Sequence, residues 1–279
     1  MADILKEEAL KWEEKYRYGT VDDRKKRMNL WEPYYSYVYE PMLKAGFSIP
    51  KNNDEFITEL TDKGILNSDT TVIDIGCGVG GYTFRIAPIV KSVVAMDINK
   101  TALDIVKKRA EETNLDNIEV TDTPWEDYSV TERFDVSFSS MCPAICNIDE
   151  IKKMESMTSG YCVLVTVMAG SYDKHRKAMM GELNIHPEGM VTDYDTYLNV
   201  LKAMGREVMT ANRSFKREYK TSLEELLASM PTYLKIFGLD NDKSIAFIKD
   251  YFARNSVDGY LNDESLMNMG MIYWKPLNN

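Results

Sequence analysis

The spacing of apolar residues changes period along this chain, and each change marks an element. Leu5, Ala9, Trp12 and Tyr16 recur at helical spacing and predict an amphipathic first helix. A basic stretch, DDRKKR, leads into LWEPYYSYVYEPM, where Pro33 suits the first turn of a second helix and Pro41 ends or kinks it. Trp31, Tyr34, Tyr35, Tyr37 and Tyr39 in that segment are read as packing residues, with a lid over a ligand as the other reading. Asn53 is placed to cap a helix through Phe56, Ile57 and Leu60, ended near Gly64.

From there short strands alternate with helices. TVIDI (71–75), SVVAMD (92–97), IEV (118–120), FDVSFSS (134–140) and YCVLVTVM (161–168) read as strands. A helical pattern starts at Tyr82, Phe84 and Ile86, and helices are predicted over Thr101–Asn114 and Ile148–Met157. Strand–helix alternation of this kind predicts an α/β fold with a parallel sheet and right-handed crossovers. The rhythm then loosens. A helix over Tyr194–Met204 is followed by a strand near Glu207–Thr210. Ser222 and Glu225 form a capping box for a helix from Leu223 to Met230, closed by Pro231. A helix carrying Ile245, Ile248 and Phe252 follows, and the last strand is predicted over Met267–Trp274. Residues 1–50 are therefore taken as a helical N-terminal cap and 51–279 as the main domain. Additions near 170–191 and 221–255 are embedded in it, because no Gly/Ser linker is present.

Composition adds limits. With 34 Lys and Arg against 44 Asp and Glu, the net charge is −10, which argues against nucleic acid as a partner. No apolar run is long enough to span a membrane, and MADILKEEALKWEEK lacks the apolar core of a signal peptide. Cys77, Cys142, Cys146 and Cys162 are then expected to be reduced thiols of a cytoplasmic protein. Oligomeric state is left at monomer or homodimer.

One stretch carries recognisable chemistry. In TVIDIGCGVGGYTFRIA (71–87) a strand runs through Gly76, Gly78, Gly80 and Gly81 into a helix, which is a nucleotide cradle. G-x-G-x-x-G with Asp97 about twenty residues on also fits a nicotinamide dinucleotide. Three details bear on the choice. Asp74, two residues before Gly76, would repel a pyrophosphate and attract the ammonium and sulfonium of S-adenosylmethionine. Asp97 ends the second strand, where it can hold ribose hydroxyls of either ligand. In TDTPWED (121–127), Thr123 and Trp125 can supply a polar edge and a flat apolar neighbour for adenine.

VIDIGCGVGGYT, AMDINK, TPWED and FDVSFSSM together resemble the successive motifs of class I S-adenosylmethionine-dependent methyltransferases. The likeness covers about residues 54–168 well and the later strands loosely. It implies a Rossmann-like, doubly wound sheet of seven strands with the last antiparallel. It also implies cofactor contacts from Asp74, Gly76, Gly78, Asp97, Thr123, Trp125, Ser139 and Ser140, with Cys77, Gly80 and Ile98 beside them. The function expected is methyl transfer to a small-molecule acceptor. The alternatives are an NAD-dependent oxidoreductase and a catalytically inactive S-adenosylmethionine-binding regulatory protein.

The acceptor side is less marked. Many nucleic-acid and protein-amide methyltransferases carry Asn/Asp-Pro-Pro-aromatic after the fourth strand, whereas this chain has Ser140, Met141, Cys142, Pro143, Ala144 and Ile145. That departure suits a small, fairly apolar acceptor, with Met141, Cys142 and Tyr18 as candidate contacts. His175 and His186 are the candidate bases by pKa, and Tyr16 offers a hydroxyl from the cap. No metal is expected, since C-x3-C at Cys142 and Cys146 with two distant histidines is not a zinc spacing.

Overall fold

A computed structural model describes residues 2–16, 33, 54–129, 133–185 and 191–277. Its centre is a sheet of eight strands among the described residues. These are β1 (Thr71–Ile75), β2 (Ser92–Met96), β3 (Ile118–Thr121), β4 (Phe134–Ser140), β5 (Thr158–Val167), β6 (Tyr172–Asp173), β7 (Val208–Thr221) and β8 (Leu261–Trp274). The order is β3-β2-β1-β4-β5-β8-β6, with β7 on the other edge of β8. β1 to β5 are parallel, and β8 alone runs against its neighbours β5, β6 and β7. The last strand is thus antiparallel, as expected. The eighth strand is β6, whose two residues pair with Leu266 and Ser265 beyond the end of β5.

Helices cover both faces, so the strands are apolar in alternate directions. Ile73 and Ile75 of β1 and Leu164 of β5 face one core. There they meet Trp12 of α1 (Ala2–Lys15), Ile151 and Met154 of the helix after β4, and Tyr197 and Val200 of the helix before β7. Val72, Val163 and Val165 face the other core, with Phe56, Ile57 and Leu60 of α2 (Glu55–Asp62). Next in chain order are α3 (Thr83–Ile86), α4 (Lys100–Thr113), α5 (Ile148–Ser156), α6 (Lys174–Glu182), α7 (Tyr194–Ala203), α8 (Leu223–Lys235) and α9 (Asn241–Asn255). A third core lies apart from both faces. It joins Met179 and Met180 of α6, Met230 and Leu234 of α8, Ile248 and Phe252 of α9, and Leu261 at the start of β8.

Three expectations need correction. The cap of α2 is Asp54, whose Oδ1 accepts from the Phe56 and Ile57 amides, one residue past Asn53. Pro231 lies inside α8 and does not close it. A mid-helix proline costs about 3 kcal/mol. Met230, Pro231, Tyr233 and Leu234 are all buried around it, and each large apolar side chain returns about 1.5–3 kcal/mol. Finally, β7 and β8 are 14 residues each, far longer than the short strands expected. Their pairing is continuous from Val208↔Trp274 to Thr221↔Leu261. The outer part of β7, ANRSFKREYKT, is largely polar and exposed, so main-chain pairing and not an apolar stripe sets its extent.

Away from the carboxyl ends of the parallel strands, a buried ion pair ties the layers together. Arg206 donates to both carboxylate oxygens of Glu155, at 2.6 and 2.8 Å, and Trp274 Nε1 donates to the same carboxylate at 2.8 Å.

Candidate cofactor site

The carboxyl ends of β1, β2 and β4 converge on one cavity of about 380 Å³. Its floor is the glycine turn. The Gly76 and Cys77 amides both donate to the Met96 carbonyl, at 2.8 and 2.9 Å, which stitches the turn to the end of β2. Gly76 has φ +72°, and a Cβ there would lie 2.2 Å from Cys142 Sγ. Gly80 has φ +80°, and its Cβ would meet the Phe84 ring at 2.7 Å. Both positions require glycine for backbone conformation and for space.

Two carboxylates flank the turn. Asp74 is buried, accepts from Thr83 Oγ1 at 2.6 Å, and has its pKa raised to about 7, by desolvation first and by the charge of Asp97 next. Such a carboxylate is poised for a cationic ligand, because a positive charge would restore the ionised form. Asp97 is fixed by the Gly78 amide on Oδ2 and the Asn99 amide on Oδ1, each at 2.8 Å. Burial raises its pKa, and the amides oppose that shift. Each oxygen retains acceptor capacity for a hydroxyl.

The far wall is the segment after β4. Ser140, Met141, Cys142, Pro143 and Ala144 all line the cavity. Met141 has φ +53°, a strained conformation for a long side chain, and is 40% exposed. Desolvation, with the charges of Asp97 and Asp74 adding, pushes the Cys142 thiol up to about 12. At the side, Trp125 is held by its Nε1–H to Glu150, and the Lys153 ammonium stands 4.8 Å from the centre of its ring.

Asp74, Gly76, Cys77, Gly78, Asp97, Ile98, Trp125, Ser140, Met141 and Cys142 all line this cavity. Gly80, Thr123 and Ser139 do not. Gly80 packs on Phe84, Thr123 accepts from Thr121 Oγ1, and buried Ser139 donates to the Ile75 carbonyl at 3.0 Å. His175 lies in the third core, with Nδ1 2.8 Å from Tyr251 Oη and Nε2 3.2 Å from the Asn262 carbonyl. Tyr16 is buried against Asp193, outside the lining. His186 and Tyr18 fall outside the described residues. Tyr82, Asn99, Glu126, Pro143 and Ala144 line the cavity and were not anticipated. Asn99 had a sequence signal, being the N-cap of α4 with its side chain on the Ala102 amide. Tyr82 sits directly behind the turn, where its hydroxyl accepts from Arg213 at 2.9 Å.

A family model described as a methyltransferase domain matches residues 66–226, more than half of the chain. The chain belongs to this methyltransferase family. Its cofactor is S-adenosylmethionine, which decides between the two ligands that the glycines alone allow. Over 119 residues the chain is 30% identical to the probable cobalt-precorrin-6B C(15)-methyltransferase (decarboxylating) of Methanocaldococcus jannaschii, covering 42% of this chain and 65% of that protein. Over 86 residues it is 31% identical to ribosomal RNA small subunit methyltransferase A of Listeria innocua, covering 31% of this chain and 28% of that protein. The matched stretches therefore span under two thirds of these relatives' own lengths. Among solved structures, an S-adenosylmethionine-dependent methyltransferase from Geobacter sulfurreducens in complex with S-adenosyl-L-homocysteine shares the fold. Its TM-score is 0.51 at 13% identity, over 88% of this chain and 98% of that one. The YcgJ protein of Bacillus subtilis gives 0.52 at 14% identity, over 81% and 100%.

Proposed function

We propose that this protein transfers the methyl group of S-adenosylmethionine to a small, largely apolar acceptor. The observation that carries the reading is the shared cavity. Asp74, Asp97 and the glycine turn form one side of it, and the uncharged wall Met141–Ala144 forms the other. Asp97 would take the ribose hydroxyls, and Trp125 and Ile98 would flank the adenine. The charge of Asp74 would answer the cationic methionine end. Methyl transfer is an in-line displacement at an already activated carbon, so the protein's part is to fix the approach line and exclude water.

The acceptor would enter along Met141 and Cys142. With a thiol pushed to about 12, Cys142 contributes packing and not nucleophilic chemistry. His175, its ring bonded on both sides in the third core, is read as structural, and Tyr16 as a support. His186 stays a candidate base. An acidic chain disfavours RNA as acceptor. No helix among the described residues is long and apolar enough to cross a membrane, and the four cysteines are free.

Calorimetry with S-adenosylhomocysteine, S-adenosylmethionine and NAD, followed by a methyl-transfer assay on small thiols, amines and phenols, tests the reading. Binding of the two adenosyl compounds and transfer to at least one acceptor class is expected. Tight binding with no transfer to any acceptor would point to a regulatory cofactor-binding protein instead.

A further inference from the structure

The wall Met141–Ala144 is not held by the sheet alone. The Ile145 carbonyl, at its far end, accepts from Tyr197 Oη at 2.6 Å and lies 3.5 Å from Thr192 Oγ1. Thr166 Oγ1 donates to the Thr192 carbonyl at 2.6 Å and lies 3.9 Å from Met141 Sδ. Thr192 and Tyr197 are in turn gripped by α1. Trp12 Nε1 donates to Thr192 Oγ1 at 3.1 Å, and the Trp12 ring packs edge-on against Tyr197 with centroids 5.6 Å apart. Four residues later the Tyr16 hydroxyl donates to the Asp193 carboxylate and accepts from the Asp193 amide, while Lys15 pairs with the same carboxylate. Asp193 also caps α7, which carries Tyr197.

Trp12, Thr192 and Tyr197 are all buried, with exposures of 2%, 1% and 3%. Buried side-chain networks of this kind transmit strain, because losing a hydrogen bond costs the desolvation of its groups and losing the ring contact leaves a void. The backbone at Met141 is strained and needs external support to persist.

We propose that α1 is a positioning element for the acceptor wall: Trp12 and Tyr16 hold Thr192, Asp193 and Tyr197, which anchor the Ile145 carbonyl and so fix Met141 and Cys142 against the glycine turn. No described residue of α1 lines the cavity, and the carboxylates and amides of its cofactor half come from β1, the end of β2 and the turn. Docking of α1 therefore controls acceptor geometry and leaves cofactor affinity nearly unchanged. The inference rests on reading the wall as the acceptor side.

Cys142 is a built-in reporter, since its Sγ packs against the glycine turn, 2.2 Å from where a Cβ of Gly76 would stand. The test is the rate of alkylation of each cysteine by N-ethylmaleimide, resolved by peptide mass spectrometry, in the full chain. Cys162, fully buried in β5, reports global opening. Trp12→Ala is expected to speed Cys142 alkylation by about tenfold with Cys162 unchanged, the signature of a local opening. Tyr197→Phe removes the hydrogen bond to Ile145 and leaves α1 in place; it should reproduce most of that acceleration. Trp12→Phe, which keeps the ring contact, should restore most of the protection. An unchanged Cys142 rate in Tyr197→Phe, or equal acceleration of Cys142 and Cys162 in every variant, overturns the proposal. The rates need no cofactor, so a wild-type protein that fails to bind S-adenosylhomocysteine would sink the proposed function without touching this result. A variant with accelerated Cys142 but wild-type S-adenosylhomocysteine affinity completes the case; a matching loss of affinity would overturn the separation of the two halves.

Discussion

The cradle at the carboxyl ends of β1, β2 and β4 and the helical module at the outer end of the β7–β8 ribbon treat polar groups in opposite ways. In the module, among the described residues, the buried polar side chains have partners, the Ser244 hydroxyl of α9 excepted. His175 is bonded at both ring nitrogens, Ser222 and Glu225 cap each other's backbones, and Tyr219 donates to Asp173 at 2.8 Å. In the cradle the polar groups are held at a cost. Asp74 is buried with its pKa raised to about 7, Asp97 is raised too, and Met141 takes a left-handed backbone. Matched groups hold a fold together, and costly ones await a ligand that relieves the cost. His175, a candidate base by its chemistry in the sequence, is on this ground already satisfied, with both ring nitrogens engaged.

The contrast is sharpest at Gly76. Gly76→Ala places a methyl 2.2 Å from Cys142 Sγ, on a backbone at φ +72° where a side chain costs about 1–2 kcal/mol before any clash. We expect S-adenosylhomocysteine affinity to fall about 100-fold or more by calorimetry, a loss above ~2.7 kcal/mol. Retained affinity would show that the turn is a tight bend and not a ligand floor.

Asp74→Asn separates ligand binding from stability. The folded carboxyl keeps its proton up to about pH 7, whereas in the unfolded chain it ionises near 4. Between those values the native state binds more protons, so this group makes the cofactor-free protein less stable as pH rises from about 4 to 7. A cationic cofactor selects the ionised form, so its affinity should weaken as pH drops below about 7. Asp74→Asn should raise the cofactor-free melting temperature at pH 8 by roughly 5 °C. It should also lower S-adenosylmethionine affinity about tenfold or more and flatten its pH dependence. A variant that loses stability at pH 8, with affinity intact, would place Asp74 among the structural groups.

Much of this was legible beforehand, and the exceptions have physical causes. FDVSFSS was bounded to the residue because both its faces are buried and a parallel strand between two others cannot drift in register. The cradle was legible because glycines and an acid at a strand end have few other uses. The length of β7 was not, since ANRSFKREYKT pairs along its backbone with little apolar patterning. Nor was the role of Tyr16. Its partner Asp193 is 177 residues away, and hydrogen bonds across such separations leave no local trace.

His175 tests the module's half of the comparison. His175→Phe keeps the ring volume and strands the Tyr251 hydroxyl, while the Asn262 carbonyl keeps Lys174 Nζ at 3.0 Å, at a cost of about 1–3 kcal/mol in denaturant unfolding. S-adenosylhomocysteine affinity should stay within about twofold, under ~0.4 kcal/mol. A tenfold fall would bring His175 back into the site.

The smallest expected effect probes whether the module is a separate unit. Ser222 accepts from the Glu225 amide at 3.2 Å, and Glu225 returns the bond to the Ser222 amide at 2.7 Å, so Ser222→Ala frees the first turn of α8. Loss of an N-cap costs about 1 kcal/mol. Because α8 packs into its own core with α6 and α9, that loss should appear as faster amide exchange in those helices. Exchange in β1 and the glycine turn, whose apolar contacts lie in the sheet's own cores, should hold steady. Equal acceleration in β1 would mean that the ribbon couples the two regions into one cooperative unit, and the division drawn here between a costly cradle and a satisfied module would describe local chemistry only.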